Sequence, residues 1–483
     1  MFSIVWKTGY KSPPSMNPIS PEQAAAWGRG RWHPRTPPGP LRALGVDSRR
    51  AGAGSLFFAL KGEKADGHDF LAAVAAAGAC AVVRADVPES RLPADGFCLR
   101  VDDVLAALGR IAAGYRATLP ARLVGVTGSV GKTSTKELIA DLLGALGKTA
   151  RTAGNYNNEI GLPLSVAGIA GDCAFGVIEA GISHPGEMAP LRDILRPDIA
   201  VLTRIGPVHI EFFDSVRAIA EEKAALLEKL PADGFAVLDR DDEFFDVLRA
   251  HASAPVATCS LKRRDVDFAG DPQEDGKLWV CERATGETAV LPLPPPGGFM
   301  AENALRAVAV ARKCGATWEA IAAALGRTRP VGMRWAVEEV RGWTAINDGY
   351  NANPVSLRAA LQAFADRPAP GRKFLALGPM LELGRLERAE HEALGRFAAA
   401  GGWAGVAVAP WKTIAGAPDP AAQALAAGLR AAGFPNEKLC AAADAAEAAA
   451  WLRARLRPGD AVLLKASRGV RIENVLEELK KES

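Results

Sequence analysis

Short apolar runs alternate with longer stretches in which apolar positions recur at helical spacing, most regularly after residue 122. Runs bounded by turn residues are typical of buried strands, and the stretches between them are typical of amphipathic helices. Strands that alternate with helices form parallel sheets, so the pattern predicts one such sheet in the middle of the chain. The predicted strands are residues 123–126, 175–180, 199–203 and 235–238, and the predicted helices are 136–146 and 216–230.

Two further α/β regions flank this one. Before it, apolar runs at 55–60, 79–83 and 97–101 and a helix at 70–77 predict a small α/β unit. After it, alanine-rich helices are predicted to follow each of the strands 343–347, 374–377, 405–409 and 461–464. The proline-rich residues 291–298 predict a connector without regular structure, followed by a helix at 301–313.

The length of the chain supports a division into three domains. Its 483 residues exceed the ~250–300 at which a single core stops growing. We expect an α/β protein with domains at residues 16–107, 108–328 and 329–483. Residues 1–15, which precede a second methionine, are interpreted as an extension outside the fold.

Charge and cysteine content exclude several classes of protein. Lys and Arg total 58 against 55 Asp and Glu, and this net charge of +3 indicates neither a nucleic-acid surface nor a polybasic membrane anchor. The seven cysteines are scattered without a Cys-x-x-Cys pair, which argues against a disulfide framework or zinc site and favours a reducing cytoplasm. No apolar run approaches the ~20 residues that span a membrane.

The most informative motif follows the first strand of the central region. Residues 124–136 run from an apolar strand through a glycine turn into a helix that opens with Lys132 and Thr133. Such glycines let backbone N–H groups converge on phosphate oxygens, while the Thr hydroxyl can ligate Mg²⁺. A strict Walker spacing would place glycine at Val126, and a tight turn without ligand is the alternative. The nucleotide-binding candidates are Thr127, Gly128, Ser129, Val130, Gly131, Lys132 and Thr133.

Two more polar side chains are predicted at the carboxyl ends of strands, where open α/β sheets hold ligands. Glu179 ends the strand 175–180 and is a candidate Mg²⁺ ligand. His209 follows the strand 199–203 after a Gly-Pro turn and is either a second ligand or a structural histidine. Lys223 lies among charges in the helix 216–230, and its spacing alone indicates a solvent-exposed face.

Amides and charges concentrate in three loops. Asparagines often cap turns, so these residues either stabilise local structure or hydrogen-bond a polar substrate. The loop after the last strand adds cations that could bind an anionic group such as a carboxylate. The candidates are Asn155, Asn157 and Asn158 in the first loop, Asp348, Tyr350, Asn351 and Asn353 in the second, and Ser467 and Arg468 in the third.

These segments, in this order from about residue 40 to about residue 475, resemble the Mur ligase family. Residues 46–49, 56–62 and 66–70 are similar to its UDP-sugar-binding domain, and the family loop Thr-Gly-x-x-Gly-Lys-Thr accounts for Val126. Residues 155–163, 347–354 and 377–384 resemble the members that join D-alanyl-D-alanine to UDP-N-acetylmuramoyl-tripeptide. The Asp-Asn-Pro-Arg signature usual in the sister ligase that adds the third amino acid is not found.

The resemblance implies ATP and Mg²⁺ as cofactors and a role for each site residue. Lys132 would contact the γ-phosphate, Thr133 and Glu179 would hold Mg²⁺, and His209 would help to hold a second Mg²⁺. Lys223 matches a carbamylated lysine, which replaces the interpretation from spacing, because a carbamate can ligate metal and an ammonium cannot. The implied nucleotide contacts are Asn303 to adenine, Arg334 to phosphate and Asp348 to ribose. The implied substrate contacts are Ser48, Arg49, Asn155, Asn157, Asn158, Tyr350, Asn351, Asn353, Ser467 and Arg468.

The resemblance implies three domains that close around an acyl-phosphate intermediate. They are a UDP-sugar-binding domain, a central P-loop ATPase-like domain and a Rossmann-like domain for the incoming dipeptide. We expect a cytoplasmic monomer whose partners are UDP-N-acetylmuramoyl-tripeptide and D-alanyl-D-alanine, with no nucleic acid. The alternatives are another amide ligase of the superfamily, tripeptide-forming or similar to folylpolyglutamate synthase, and a non-catalytic nucleotide-binding switch. The chain departs from the usual family pattern at Ala180, Arg204, Glu302, Pro379 and Ala466.

Overall fold

The structure is a computed structural model that describes residues 16–411 and 419–481. Its first unit is a five-stranded sheet. The predicted extension 1–15 lies outside the described residues. The strand order is β1-β5-β4-β3-β2, with β1 antiparallel to β5 and the other pairs parallel. The strands are β1 (Arg31–His33), β2 (Ala43–Gly45), β3 (Ser55–Phe58), β4 (Cys80–Arg84) and β5 (Cys98–Val101), and the helices are α1 (Pro21–Gly28), α2 (Leu71–Ala76) and α3 (Val104–Arg116).

The second unit is a nine-stranded sheet in the order β14-β13-β12-β11-β10-β9-β6-β8-β7. Its strands are β6 (Arg122–Thr127), β7 (Thr149–Arg151), β8 (Phe175–Glu179), β9 (Ile199–Leu202), β10 (Phe235–Asp239), β11 (Val256–Ser260), β12 (Phe268–Pro272), β13 (Lys277–Glu282) and β14 (Thr288–Pro292). Its helices are α4 (Lys132–Leu143), α5 (Gly161–Ala167), α6 (Met188–Leu195), α7 (Val216–Ala224), α8 (Phe245–Ala250), α9 (Ala301–Lys313) and α10 (Trp318–Arg327). The strands β6 to β12 pair in parallel, which confirms the predicted parallel sheet.

The third unit is a six-stranded sheet in the order β15-β16-β20-β17-β18-β19, parallel except for β15. Its strands are β15 (Ala336–Val340), β16 (Trp343–Asn347), β17 (Lys373–Leu377), β18 (Gly405–Val408), β19 (Leu439–Ala441) and β20 (Ala461–Lys465). Its helices are α11 (Pro354–Asp366), α12 (Glu387–Ala399), α13 (Pro420–Ala431), α14 (Ala445–Arg453) and α15 (Glu473–Lys480). The α/β class with three sheets is therefore confirmed.

Several predicted elements need correction. The helix after the glycine turn begins at Lys132 rather than at residue 136, because Gly131 adopts a φ of 90° and lets the chain enter the helix directly. The helix predicted to reach residue 230 ends at Ala224 and continues as a 3₁₀ turn over Ala225–Leu227, before the left-handed Lys229 at a φ of 62°. The proline-rich connector is wrong at both ends, because Leu291 and Pro292 belong to β14 and a 3₁₀ turn begins at Gly297. Pro292 is tolerated there because β14 is an edge strand.

The helix α3 joins the first and second units. Tyr115 donates a hydrogen bond from Oη to the carbonyl of Ile169 at 2.6 Å, and Arg116 pairs with Asp198 at 2.9 Å. The predicted boundary after residue 107 falls within this continuous helix, so the boundary numbers stay a prediction. Among residues 16–411 and 419–481, none of the helices combines the length and the apolar composition of a membrane span.

Candidate active site

The phosphate loop lies between β6 and α4, and its glycines are required by close neighbours. Gly128 and Gly131 have φ values of 144° and 90°, which residues that carry a Cβ rarely adopt. A Cβ at Gly128 would lie 2.0 Å from Thr203 Oγ1, and one at Gly131 would lie 2.5 Å from Asn303 Oδ1. The loop therefore packs tightly between the end of β9 and the start of α9.

Lys132 lies over the phosphate loop. Its Nζ donates hydrogen bonds to the carbonyls of Gly128 at 2.8 Å and Ser129 at 3.3 Å. Burial lowers the pKa of Lys132, the Glu179 carboxylate opposes this change, and the Arg334 guanidinium adds to it. The loop thus holds a cation where a triphosphate would sit.

Thr133 and Glu179 meet beside this cation. Thr133 Oγ1 donates to Glu179 Oε2 at 2.7 Å, and Asn157 Nδ2 donates to Glu179 Oε1 at 2.8 Å. Arg334, from the start of the third unit, donates from Nη2 to Thr133 Oγ1 at 2.9 Å. Tyr350 stacks on that guanidinium, with 3.6 Å between the Arg334 Cζ and the ring centroid. The structure therefore brings predicted residues of two units together.

Lys223 is buried, which contradicts the exposed face indicated by its spacing. Its side chain lies on α7 and the residue is only 1% exposed. Within the described parts of the chain its Nζ makes no hydrogen bond or ion pair. Burial holds the pKa of Lys223 well below its usual value, and the nearby Lys132 lowers it further. Burial therefore makes the charged form of the Lys223 amine less stable than it would be in water.

His209 lies at the same edge of the sheet and faces the third unit. It has a left-handed φ of 60° at the start of a 3₁₀ turn. Its Nδ1 lies 2.5 Å from Glu382 Oε2, and this close contact with His209 lowers the pKa of that carboxyl group. Sequence reasoning did not single out Glu382 as a neighbour of the site, although it lies in the 377–384 segment noted above.

The side chains of two residues predicted to contact the nucleotide, Asn303 and Asp348, form hydrogen bonds within the protein. Asn303 is buried, and its Oδ1 accepts a hydrogen bond from Thr135 Oγ1 at 3.1 Å. Asp348 accepts from Lys465 Nζ at 2.5 Å and from the backbone N–H of Trp335 at 3.2 Å. In this structure both side chains fix the surroundings of the site.

Several predicted substrate residues make structural hydrogen bonds in the loops where they lie. Asn353 caps α11 together with Ser356, and Asn158 accepts from the first backbone N–H of α5. The hydroxyl of Ser467 donates to the carbonyl of Ala352 and accepts from the N–H of Leu381, and Arg468 pairs with Glu473.

The two remaining asparagines are placed differently. The carbonyl of Asn351 accepts a hydrogen bond from Lys465 Nζ, whereas Asn155 is half-buried in the turn before α5. The turn-capping alternative thus applies to Asn158 and Asn353.

The first unit contributes one wall of a cleft of about 740 Å³ that is open to solvent. Asp47 and Arg50 line it from the first unit, and Tyr156 and Ser165 line it from the second. The predicted Ser48 and Arg49 lie in the adjoining 3₁₀ turn, where Arg49 is paired with Asp47 at 2.7 Å and its side chain is 75% exposed. The wall of the cleft is therefore formed by Asp47 and Arg50, which flank the predicted Ser48 and Arg49 in the sequence.

The donors around Thr133 suit a magnesium ion. Thr133 and Glu179 offer a hydroxyl and a carboxylate oxygen 2.7 Å apart, and Mg²⁺ prefers a few such ligands together with phosphate oxygens. Within residues 16–411 and 419–481, no group of three or more His, Cys, Asp or Glu side chains is arranged to hold a metal without such additional ligands.

Comparison with known proteins covers the three units in order. The chain matches the Mur ligase family catalytic domain over residues 40–116, the Mur ligase middle domain over 126–311 and the Mur ligase glutamate ligase domain over 333–468. A UDP-N-acetylmuramoyl-tripeptide–D-alanyl-D-alanine ligase of Synechocystis is 34% identical over 435 residues, 90% of this chain and 91% of that protein.

Solved structures agree with this assignment. A crystal structure of MurF from Acinetobacter baumannii superposes with a TM-score of 0.85 at 27% identity, covering 97% of this chain and 100% of that one. MurF ligase from Thermotoga maritima, solved in complex with ADP, superposes with a TM-score of 0.77 at 29% identity and covers 91% of this chain and 97% of that one. The chain therefore belongs to the Mur ligase family.

Proposed function

We propose that this chain is a UDP-N-acetylmuramoyl-tripeptide–D-alanyl-D-alanine ligase, which uses ATP to join the dipeptide to the tripeptide precursor and forms the pentapeptide precursor of peptidoglycan. Relatives that carry this name match the chain over most of their lengths. The observation that carries the proposal is the hydrogen bond of 2.9 Å between Arg334 and Thr133, because it brings the third unit to the phosphate loop of the second.

The reaction needs an activated carboxylate, because oxide is a poor leaving group and phosphate a good one. A carboxylate oxygen of the tripeptide attacks the γ-phosphorus and ADP leaves, giving an acyl phosphate. The amine of D-alanyl-D-alanine then attacks the acyl carbon, loses a proton, and phosphate departs with the oxygen that bridged carbon and phosphorus. Lys132 and Arg334 would neutralise the charge on the transferred phosphoryl group, and their contacts with the phosphate loop and Thr133 support this role.

Thr133 and Glu179 would hold Mg²⁺, with His209 and a modified Lys223 at a second metal position. Bound Mg²⁺ would neutralise phosphate charge and polarise the phosphoryl group. A neutral lysine can take up carbon dioxide and lose a proton, becoming a carbamate anion. The burial of Lys223 and its lowered pKa support this modification, because a protonated amine does not react in this way.

Each unit has a proposed share of the substrates. The first, residues 16–107, would bind the UDP-sugar, and the cleft lined by Asp47, Arg50 and Tyr156 supports this assignment. The second, residues 108–328, would bind ATP, and the relative solved in complex with ADP supports nucleotide binding. The third, residues 329–483, would bind the incoming dipeptide. We place the protein in the cytoplasm as a monomer.

Phosphate release from ATP and Mg²⁺ tests the proposal when it is measured with UDP-muramoyl-tripeptide, with and without D-alanyl-D-alanine. We expect amide formation only with both substrates, and a product heavier than the tripeptide precursor by one dipeptide less water. Product formation with a different amine acceptor would indicate a sister ligase. ATP binding without any turnover would indicate a nucleotide-binding switch.

A further inference from the structure

Arg204 and Glu302 form an ion pair behind the phosphate loop that the proposed chemistry does not use. Arg204 follows β9, Glu302 lies in the first turn of α9, and Arg204 Nη2 donates to Glu302 Oε1 at 2.6 Å. Their side chains are 39% and 32% exposed. The two elements that they connect both touch the loop.

The backbone of Arg204 holds one side of the loop. Its carbonyl accepts hydrogen bonds from the N–H groups of Ser129 at 2.9 Å and Val130 at 3.2 Å. The next residue, Ile205, donates its N–H to Asp242 at 3.0 Å. The segment after β9 is thus fixed between the loop and the end of β10.

Glu302 is fixed on its other side by a buried arginine. Arg306, one turn further along α9, lies 3.5 Å from Glu302 and 2.5 Å from Asp239 and is 1% exposed. In the described part of the chain, the Nε and Nη1 atoms of Arg306 have no hydrogen-bond partner. The charge on Arg306 therefore depends on Asp239 and Glu302.

The pair closes a ring of contacts around the loop. Beside Glu302, Asn303 accepts from Thr135 in the first turn of α4 and leaves no room for a side chain at Gly131. From Gly131 the chain leads back through the loop to Ser129, whose N–H donates to the carbonyl of Arg204. Breaking the ion pair would free the segment after β9 from α9.

We infer that Arg204 and Glu302 are positioning residues that hold the phosphate loop in the conformation that binds the triphosphate. The inference rests on the ATP binding in the proposed function. A partly exposed pair of this kind changes an equilibrium constant by at most about fivefold. The expected effect is therefore a weaker affinity for ATP rather than loss of the fold.

The variant Glu302→Ala separates positioning from simple charge. Removing a carboxylate near a polyphosphate would by itself tighten ATP binding, whereas loss of positioning weakens it. By calorimetry with Mg-ATP on the full chain, we expect Glu302→Ala and Arg204→Ala each to bind about fivefold more weakly than the unchanged chain. The double variant should bind no more weakly than the weaker single variant, because either substitution breaks the same pair.

Arg204→Lys keeps a cation and should bind ATP within about twofold of the unchanged chain. Arg388→Ala, which breaks an exposed pair of 2.8 Å on α12, is the matched control and should not alter binding. In turnover, the KM for ATP should rise while the KM for D-alanyl-D-alanine stays constant. Glu302→Ala binding ATP as tightly as the unchanged chain, or losses that multiply in the double variant, would overturn the inference. If the ATP affinities of the variants follow the expected order, the inference is supported even when the chain forms no amide.

Discussion

Two lysines of the candidate site differ in what surrounds their amines. Lys132 donates to two loop carbonyls, whereas Lys223 is buried with neither hydrogen bond nor ion pair in the described ranges. Burial lowers the pKa of both, because desolvation disfavours the charged form. The hydrogen bonds of Lys132 hold its amine at the phosphate loop, whereas burial without such contacts favours loss of the proton from Lys223.

Replacing Lys132 by alanine should abolish ligation and leave the fold intact. The side chain neutralises charge on the transferred phosphoryl group, and losing such a contact costs about 10²–10³-fold in kcat or more. Product formation and circular dichroism measure the two effects. Lys148→Ala, which removes an exposed lysine paired with Asp172, is the matched control. Retained turnover in Lys132→Ala would refute the assignment.

Replacing Lys223 by methionine should stop ligation and stabilise the protein. A buried amine without hydrogen bonds costs about 1–3 kcal/mol, and methionine of similar shape avoids that cost. Because the folded pKa lies below the ordinary value of 10.5, the unfolded chain binds the extra proton as pH falls from that value. In buffer free of carbon dioxide, the gain in melting temperature should therefore be larger at neutral pH than above the ordinary pKa. A less stable variant would contradict the buried, unpaired amine.

Sequence reasoning reached the residues whose chemistry is carried by a local motif. Lys132 and Thr133 follow from the glycine turn, because strand, turn and helix adjoin in the chain. Spacing alone indicated that Lys223 is exposed, and it could not identify Glu382 as the partner of His209. Burial and pairing across units depend on tertiary packing, which local periodicity does not record.

Among the helices, α11 shows how an apparent ligand residue can be a cap. Asn353 Oδ1 accepts from the N–H of Ser356, and Ser356 Oγ accepts from the N–H of Asn353. This reciprocal pair satisfies two donors at the helix start, and Pro354 follows at a position that needs no donor. The polar composition of residues 347–354 therefore has a partly structural origin.

Asn353→Ala should destabilise the protein by about 1 kcal/mol without changing the KM for D-alanyl-D-alanine. The cap is lost while the groups nearest the phosphate loop remain. Asn353→Ser, which retains a capping oxygen, should recover most of the stability. Chemical denaturation and steady-state kinetics provide the measurements. A raised KM in both variants would instead favour a direct substrate contact.

The strands were predictable where they alternate with helices and less so at the sheet edges. The cores of β6, β8, β9 and β10 match the predicted apolar runs to within one or two residues. The edge strands β14 and β15, and β13 beside β14, were missed, because their exposed faces interrupt the apolar runs. Antiparallel edges also leave no intervening helix to mark them.

The second and third units meet at several polar contacts around the site. Besides Arg334 with Thr133, Glu382 lies 2.5 Å from His209, and Arg385 donates to the carbonyl of Asp214 at 3.0 Å. The N–H of Glu211 also points to the carbonyl of Glu382 at 3.4 Å. Closure of the third unit onto the second would thus orient His209 as the site forms.

Glu382→Ala should loosen this closure. We expect kcat/KM to fall by about 10–100-fold, because small displacements of groups at a reacting centre cost this much. Small-angle scattering in the presence of nucleotide should show a larger radius of gyration than for the unchanged chain. Glu392→Ala, which breaks ion pairs within α12, is the control and should change neither quantity. An unchanged radius and rate for Glu382→Ala would contradict the contact's role.

The fate of one oxygen atom decides whether ATP hydrolysis is coupled to amide formation. UDP-muramoyl-tripeptide labelled with ¹⁸O in its terminal carboxylate is supplied with ATP, Mg²⁺ and D-alanyl-D-alanine, and the released phosphate is analysed by mass spectrometry. An acyl phosphate requires one ¹⁸O atom to appear in each phosphate formed with product. Phosphate without label would mean that water attacks ATP directly, and would contradict the ligase mechanism.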